Sequence, residues 1–204
     1  MSLQEFVITY SLQNREPQNT IRLLMVVVLS SDSLLRVGRV MHGTSAEGPG
    51  LRTAVWVQGC SIQCKGCINP HLFSIHGGHS VDPQDLVAKA LERGVEGLTL
   101  LGGEPFDQAL ACAALSQYAK GANMGVICFT GYSYEYLKQQ NCATELLDVV
   151  DLLVDGPYMA DRPERERALI GSTNQRFIHL TDRYAEYDPV ASPNRVEFRL
   201  GIDG

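Results

Sequence analysis

Three cysteines at C-x3-C-x2-C spacing, Cys60, Cys64 and Cys67, crowd into the stretch Cys60-Ser61-Ile62-Gln63-Cys64-Lys65-Gly66-Cys67. Side chains this close in sequence reach one point without help from the rest of the fold. Thiolates are soft ligands that suit zinc or iron–sulfur clusters. Structural zinc sites and electron-carrying clusters usually take four protein ligands, and here the local count stops at three. A four-iron cluster held by three cysteines keeps an open iron, where a substrate can bind. Zinc completed by His71, His76 or His79 is the alternative metal reading.

The elements that must position this loop follow from periodicity and punctuation. Residues 36–41 read as a strand, residues 43–50 as a turn-rich loop, and residues 53–58 as the strand that delivers the cysteines. Asp82 and Pro83 signal an N-cap and a first helical residue. The helix expected over 83–93 puts Leu86, Val87, Ala90 and Leu91 on one face, and Gly94 ends it. Strands are expected over 95–101, 125–129, 149–154, 177–180 and 196–200, with helices over 106–120 and 133–140. Strands alternating with helices imply right-handed βαβ units: an α/β fold with a largely parallel sheet.

Four distinctive stretches then fall at the carboxyl ends of strands. They are the cysteine loop, Gly102-Gly103-Glu104-Pro105, Thr130-Gly131-Tyr132 and Asp155-Gly156-Pro157-Tyr158. That edge is where barrels and open α/β sheets build their sites. Gly102 and Gly103 leave backbone open to a ligand. Glu104 can accept from an ammonium group, or cap the helix that follows it. Asp155 can accept from an amine or a ribose hydroxyl. No G-x-G-x-x-G, Walker or G-x-S-x-G sequence is present, so dinucleotide, P-loop and serine-hydrolase readings lack support.

Together with Glu47-Gly48-Pro49-Gly50-Leu51-Arg52, Asn69 and Gly171-Ser172-Thr173-Asn174-Gln175-Arg176, these stretches span residues 36–180. On them the chain resembles the radical S-adenosylmethionine enzymes, and within those the activating proteins of glycyl-radical enzymes, most closely the anaerobic (class III) ribonucleoside-triphosphate reductase type. Gly66 stands where many radical enzymes of this class carry an aromatic residue, and the reductase activators share that glycine. The resemblance implies a partial (β/α) barrel. It implies a [4Fe-4S] cluster on Cys60, Cys64 and Cys67, with S-adenosylmethionine chelated to the fourth iron. Gly102, Gly103, Glu104 and Pro105 would hold the methionine amino group. Thr130, Gly131, Tyr132, Asp155, Asn174 and Gln175 would line the rest of the cofactor pocket. One electron, from a flavodoxin- or ferredoxin-type donor, would release methionine and a 5′-deoxyadenosyl radical, which takes a hydrogen atom from a glycine α-carbon of the partner enzyme.

Two other functions fit parts of the sequence. A stand-alone radical enzyme modifying a small molecule or peptide would use the same site. An electron-transfer module would want a fourth cysteine near the triplet and no Gly-Gly-Glu-Pro. At 204 residues, 45% hydrophobic and 20% charged, the chain has the composition of an ordinary globular protein. A net charge of -6 argues against nucleic acid as the main partner. Three of six cysteines in one loop do not make a secreted disulfide framework, which places the protein in the reducing cytoplasm.

Residues 1–35 are expected to be an N-terminal extension, partly disordered, ahead of a radical-enzyme domain over 36–204. The apolar run 23–29 is far short of the ~20 residues of a membrane helix and reads as a strand. Deleting residues 1–24 should leave folding intact. Cys112, Cys128 and Cys142 read as packing residues. His42 and His179 read as ordinary core or surface histidines. Arg52 suits an ion pair or the site equally, and the alternating charges of 161–167 read as a solvated face.

Overall fold

The computed structural model describes residues 34–197, and the extension read over 1–35, with its apolar run, falls almost wholly outside them. A seven-stranded sheet runs in the order β3-β1-β2-β4-β5-β6-β7. Its strands are β1 (Leu35–Thr44), β2 (Arg52–Val57), β3 (His79–Val81), β4 (Gly97–Gly102), β5 (Gly125–Phe129), β6 (Leu152–Asp155) and β7 (Arg176–His179). The four central strands, β2, β4, β5 and β6, are parallel neighbours. The β1–β2, β1–β3 and β6–β7 pairs are antiparallel. The α/β expectation therefore holds in the centre of the sheet. The flanks reverse because no helix crosses over between β1 and β2 or between β6 and β7, and a returning chain without a crossover pairs antiparallel.

Successive parallel strands step in one direction, so right-handed crossovers place their helices on one face, the arrangement of a partial barrel. These helices are α1 (Pro83–Glu92), α2 (Ala109–Gly121), α3 (Tyr134–Leu137) and α4 (Thr144–Leu147). Strand alternation divides the core accordingly. Val126, Cys128 and Leu153 pack with Leu86, Ala90 and Leu115 on the helical side. Ile127, Leu152 and Val154 face the other way, onto Phe129, Ile170, Phe177, Tyr184 and Tyr187. The chain after β6 thus fills the inner face of the half-barrel.

Local signals account for most boundaries. Asp82 Oδ1 accepts from the Gln84 and Asp85 amides at 2.7 and 3.2 Å, and Pro83 opens α1. Leu86, Val87 and Ala90 are buried, whereas Leu91 remains 49% exposed. The segment expected as one helix over 106–120 starts as a 3-10 turn, Pro105–Gln108, and becomes α-helical only from Ala109. The helix expected over 133–140 stops at Leu137, with Ser133 as its cap. The strand expected from 149 begins at Leu152, because Asp151 turns its carboxylate onto Lys120, Thr181 and the Val126 amide. Val196 and Glu197 form no strand, and the rest of the one expected over 196–200 lies outside the described residues.

Candidate functional site

All four distinctive loops leave parallel strands at one rim: residues 58–67 after β2, 103–105 after β4, 130–132 after β5 and 156–158 after β6. They surround a cavity of about 140 Å3. Cys60, Cys64, Cys67, Gly102, Gly103, Glu104, Thr130, Gly131 and Gln175 line it, as do Ile62, Phe73, Phe129, Gly156 and Tyr158. Pro105, Tyr132, Asp155 and Asn174 do not.

Backbone bonds fix the cysteine loop from both sides. The Gly59 and Cys60 amides donate to the carbonyls of Leu72 and Phe73 at 2.8 and 3.1 Å. The Glu104 amide donates to the Gly59 carbonyl at 2.8 Å. Ser61 is held by Asp107, whose carboxylate accepts from the Ser61 amide at 2.7 Å and the hydroxyl at 2.9 Å. The Tyr132 hydroxyl joins this group, 2.8 Å from Ser61 Oγ, so it ties two rim loops together beside the cavity. The three thiols are half-buried and form no disulfide. Burial pushes the Cys60 thiol up, opposed by the Gln63 and Ile62 amides.

Glu104 sits almost fully buried at the inner wall. Its Oε1 accepts from the Phe106 amide at 3.0 Å and Thr130 Oγ1 at 2.8 Å, and its Oε2 from the Gly131 amide at 2.9 Å. It is therefore a helix cap and part of the cavity wall at once. Burial outweighs these three bonds and pushes the carboxyl up to about 7. A cation arriving at the cavity would find a carboxylate with little solvent to compete for it.

Asp155 is turned away from the cavity. Arg176 grips both of its oxygens, Nε to Oδ1 at 2.9 Å and Nη2 to Oδ2, and the Tyr134 amide donates to Oδ2 at 2.8 Å. Asn174 Nδ2 donates to the Pro157 carbonyl at 2.7 Å, while its Oδ1 is buried with no partner among the described residues. Gln175 Oε1 gathers the Gly171 and Ser172 amides at 2.9 and 3.1 Å, closing the 156–175 loop on itself. Within that loop Asp161, Arg162, Arg165 and Glu166 are exposed, as expected of a solvated face, while Glu164 and Arg167 tie it together. Glu164 accepts from three consecutive amides, and Arg167 holds Glu164 Oε2 at Nε and the carbonyls of Thr173 and Gln175.

Arg52 lies at the opposite end of the sheet. Fully buried, it uses its fork on Thr99 Oγ1 and on the carbonyls of Pro49, Leu98 and Gly125, and reaches the Tyr184 hydroxyl at 2.7 Å. Its role is to bind the amino ends of β2, β4 and β5 together.

The sequence matches the family described as "4Fe-4S single cluster domain" over residues 46–178, a segment containing every rim loop. It is 33% identical over 146 residues to the anaerobic ribonucleoside-triphosphate reductase-activating protein of Vibrio cholerae serotype O1, covering 66% of this chain and 92% of that one. The protein of the same name from Enterobacteria phage T4 is 29% identical over 149 residues, 70% of this chain and 92% of that one. The chain belongs to this activating-protein family. Among solved structures, it is similar to the crystal structure of QueE from Escherichia coli, with 15% identity and a TM-score of 0.42 over 50% of this chain and 57% of that one.

The residues at the rim fit the cluster this activating-protein family holds. Three free thiols line one cavity, and the Asn69 amide lies 3.4 Å from Cys67 Sγ, the kind of N–H···S contact that tunes a cluster. Among the described residues no three His, Cys, Asp or Glu side chains converge on a point that would hold a single metal ion. No described helix is long and apolar enough to cross a membrane.

Sequence reasoning quoted Ile62, Tyr158 and Arg176 within its distinctive stretches without giving them a role, and missed Phe73 and Phe129 in the wall and Asp107 behind it. Asp107 was legible as the third residue after Glu104 on a rim loop. Phe73 carried no local signal, because only the Cys60–Phe73 backbone bond brings it there.

Proposed function

We propose that this protein is a radical S-adenosylmethionine oxidoreductase that installs a glycyl radical on an anaerobic ribonucleoside-triphosphate reductase. The observation that carries the reading is the convergence of Cys60, Cys64 and Cys67 with Gly102, Gly103 and Glu104 around one cavity. The relatives named above favour this substrate over a small molecule or peptide. When bound, the [4Fe-4S] cluster and S-adenosylmethionine, with one electron from a flavodoxin- or ferredoxin-type donor, supply a 5′-deoxyadenosyl radical that takes a hydrogen atom from glycine.

The chain's own residues bind and orient. Cys60, Cys64 and Cys67 would hold the cluster. Glu104 receives the methionine ammonium, with Gly102 and Gly103 giving close backbone approach and Pro105 closing the turn. Thr130 and Gly131 keep the Glu104 carboxylate aimed. Asn174 acts from outside the lining, through its bond to the Pro157 carbonyl, and Gln175, which lines the cavity, fixes the loop that carries both. Tyr132 and Asp155 act from behind the wall. A cavity of about 140 Å3 is smaller than the several hundred Å3 that encloses a drug-sized ligand, so a protein partner covering the rim would complete the exclusion of water.

Anaerobic reconstitution with iron, sulfide and reductant tests this. Wild type should convert S-adenosylmethionine to 5′-deoxyadenosine, and Cys64→Ala should not. With the reductase added, a glycine-centred doublet should appear by electron paramagnetic resonance. Equal product from Cys64→Ala, or cleavage with no doublet on the reductase, would overturn the reading.

A further inference from the structure

Asp155 ends β6 at the rim and is fully buried, yet its carboxylate points at Arg176, the first residue of β7, and not at the cavity. Arg176 also grips Glu135 near the start of α3, through Nη1 at 3.2 Å and Nη2 at 2.8 Å. One guanidinium thus clamps two carboxylates, one at the end of β6 and one on α3. Arg176 is about half exposed, so the Glu135 leg is open to solvent and weak, whereas the Asp155 leg is not.

What the clamp controls lies one step inward. Asp155 Oδ2 accepts from the Tyr134 amide at 2.8 Å, and the next residue, Gly156, donates to the Tyr132 carbonyl at 3.1 Å. Residues 130–134 are thereby held at their far end. Their near end gives Thr130 Oγ1 and the Gly131 amide to the Glu104 carboxylate. Hydrogen bonds at both ends of the 130–134 backbone thus connect Arg176, through Asp155, to Glu104.

We propose that Arg176 is a positioning residue for S-adenosylmethionine, acting through Asp155 to fix the loop that aims Glu104. This rests on the cofactor reading given above. Asp155 then has no direct contact with the cofactor, and its negative charge exists to be paired. Removing the guanidinium leaves a buried carboxylate with one amide partner, and such a group reorients or takes up water or a proton. Either response moves the Tyr134 amide and shifts the loop. Outer partners of this kind typically change affinity or activity by about 10- to 100-fold when lost.

The test uses cluster-loaded protein and measures the KM for S-adenosylmethionine and kcat for 5′-deoxyadenosine release, beside iron content and Tm. Arg176→Gln should raise KM about tenfold or more with iron content unchanged and a smaller fall in kcat. Arg176→Lys, which restores charge without the fork, should fall between. The double variant Arg176→Gln/Asp155→Asn should be no worse than the worse single, because the two act in series. A lowered Tm with unchanged KM in both Arg176 variants would mean a structural role only and overturn the proposal; so would additive effects in the double variant. If Arg176 variants lose the cluster, Asp155→Asn alone decides: unchanged KM sinks the proposal, raised KM supports it. Wild type that fails to bind S-adenosylmethionine would defeat the functional reading itself, a result distinguishable from these.

Discussion

Gly103 and Gly59 meet backbone to backbone: a methyl group built on Gly103 would lie 2.1 Å from the Gly59 carbonyl oxygen and 2.8 Å from that of Val57. Neither oxygen is free to retreat. Val57 O accepts the Gly103 amide at 2.9 Å, and Gly59 O accepts the Glu104 amide at 2.8 Å. The glycine pair therefore serves first to seat the Gly-Gly-Glu segment against the cysteine loop, and only then to open backbone to a ligand.

Gly103→Ala should consequently behave as a site variant although it adds one methyl. The Cys60 end of the loop must shift away from Glu104, so S-adenosylmethionine cleavage should fall by about 100-fold for a displacement on the order of 1 Å. Iron content and the rate of 5′-deoxyadenosine formation measure it. A variant with wild-type turnover would show that the two loops are not rigidly registered.

Glu104 gives a pH prediction whose sign can be worked out. Its carboxyl is pushed up by burial from 4.5 to about 7. Between these values the native protein keeps a proton that the unfolded chain has released. The unfolded state then binds fewer protons, and the stability contributed by this group falls as pH rises through the window and is flat above it. Urea unfolding of the metal-free protein should show this slope in wild type and not in Glu104→Gln. An ammonium ligand prefers the ionised form, so S-adenosylmethionine affinity should rise with pH over the same range. Identical pH profiles for wild type and Glu104→Gln would refute both.

The parts legible in the sequence were those with local causes. The Asp82 cap and Pro83, the Gly94 stop and the placement of loops after β2, β4, β5 and β6 are written in neighbouring residues. What was not legible is long-range. Nothing near Asp155 shows that Arg176 will take its charge, since the pair forms only when β7 returns antiparallel beside β6. Likewise Tyr132 reads as a pocket residue until Asp107 and Ser61 are placed beside its hydroxyl. The alternation of central strands and helices could be inferred, while the choice each polar group makes between ligand and neighbour could not.

Thiol reactivity should sort the six cysteines by environment. Cys112 and Cys128 are fully buried, and burial pushes both thiols up, so neither should alkylate in native protein. Cys142 is exposed. Iodoacetamide on anaerobic, cluster-loaded protein should modify Cys142 alone, and chelator-stripped protein should gain adducts at Cys60, Cys64 and Cys67. Peptide mass spectrometry reads both states. Labelling of Cys64 at equal rates before and after stripping would remove it from the ligand set.

Arg52 and Tyr184 provide the control at the other end of the sheet. The buried guanidinium uses five hydrogen bonds and faces the Tyr184 ring, 5.4 Å from its centroid, so the amino ends of three strands depend on one cation. Arg52→Gln leaves several carbonyls without donors and should cost about 3 kcal/mol or more. Tyr184→Phe removes only one acceptor and keeps the ring, and should cost about 1 kcal/mol. Because the site lies at the carboxyl ends of these strands, Tyr184→Phe should lower the unfolding midpoint while leaving the KM for S-adenosylmethionine unchanged. A raised KM in this variant would mean that the two ends of the half-barrel are mechanically coupled.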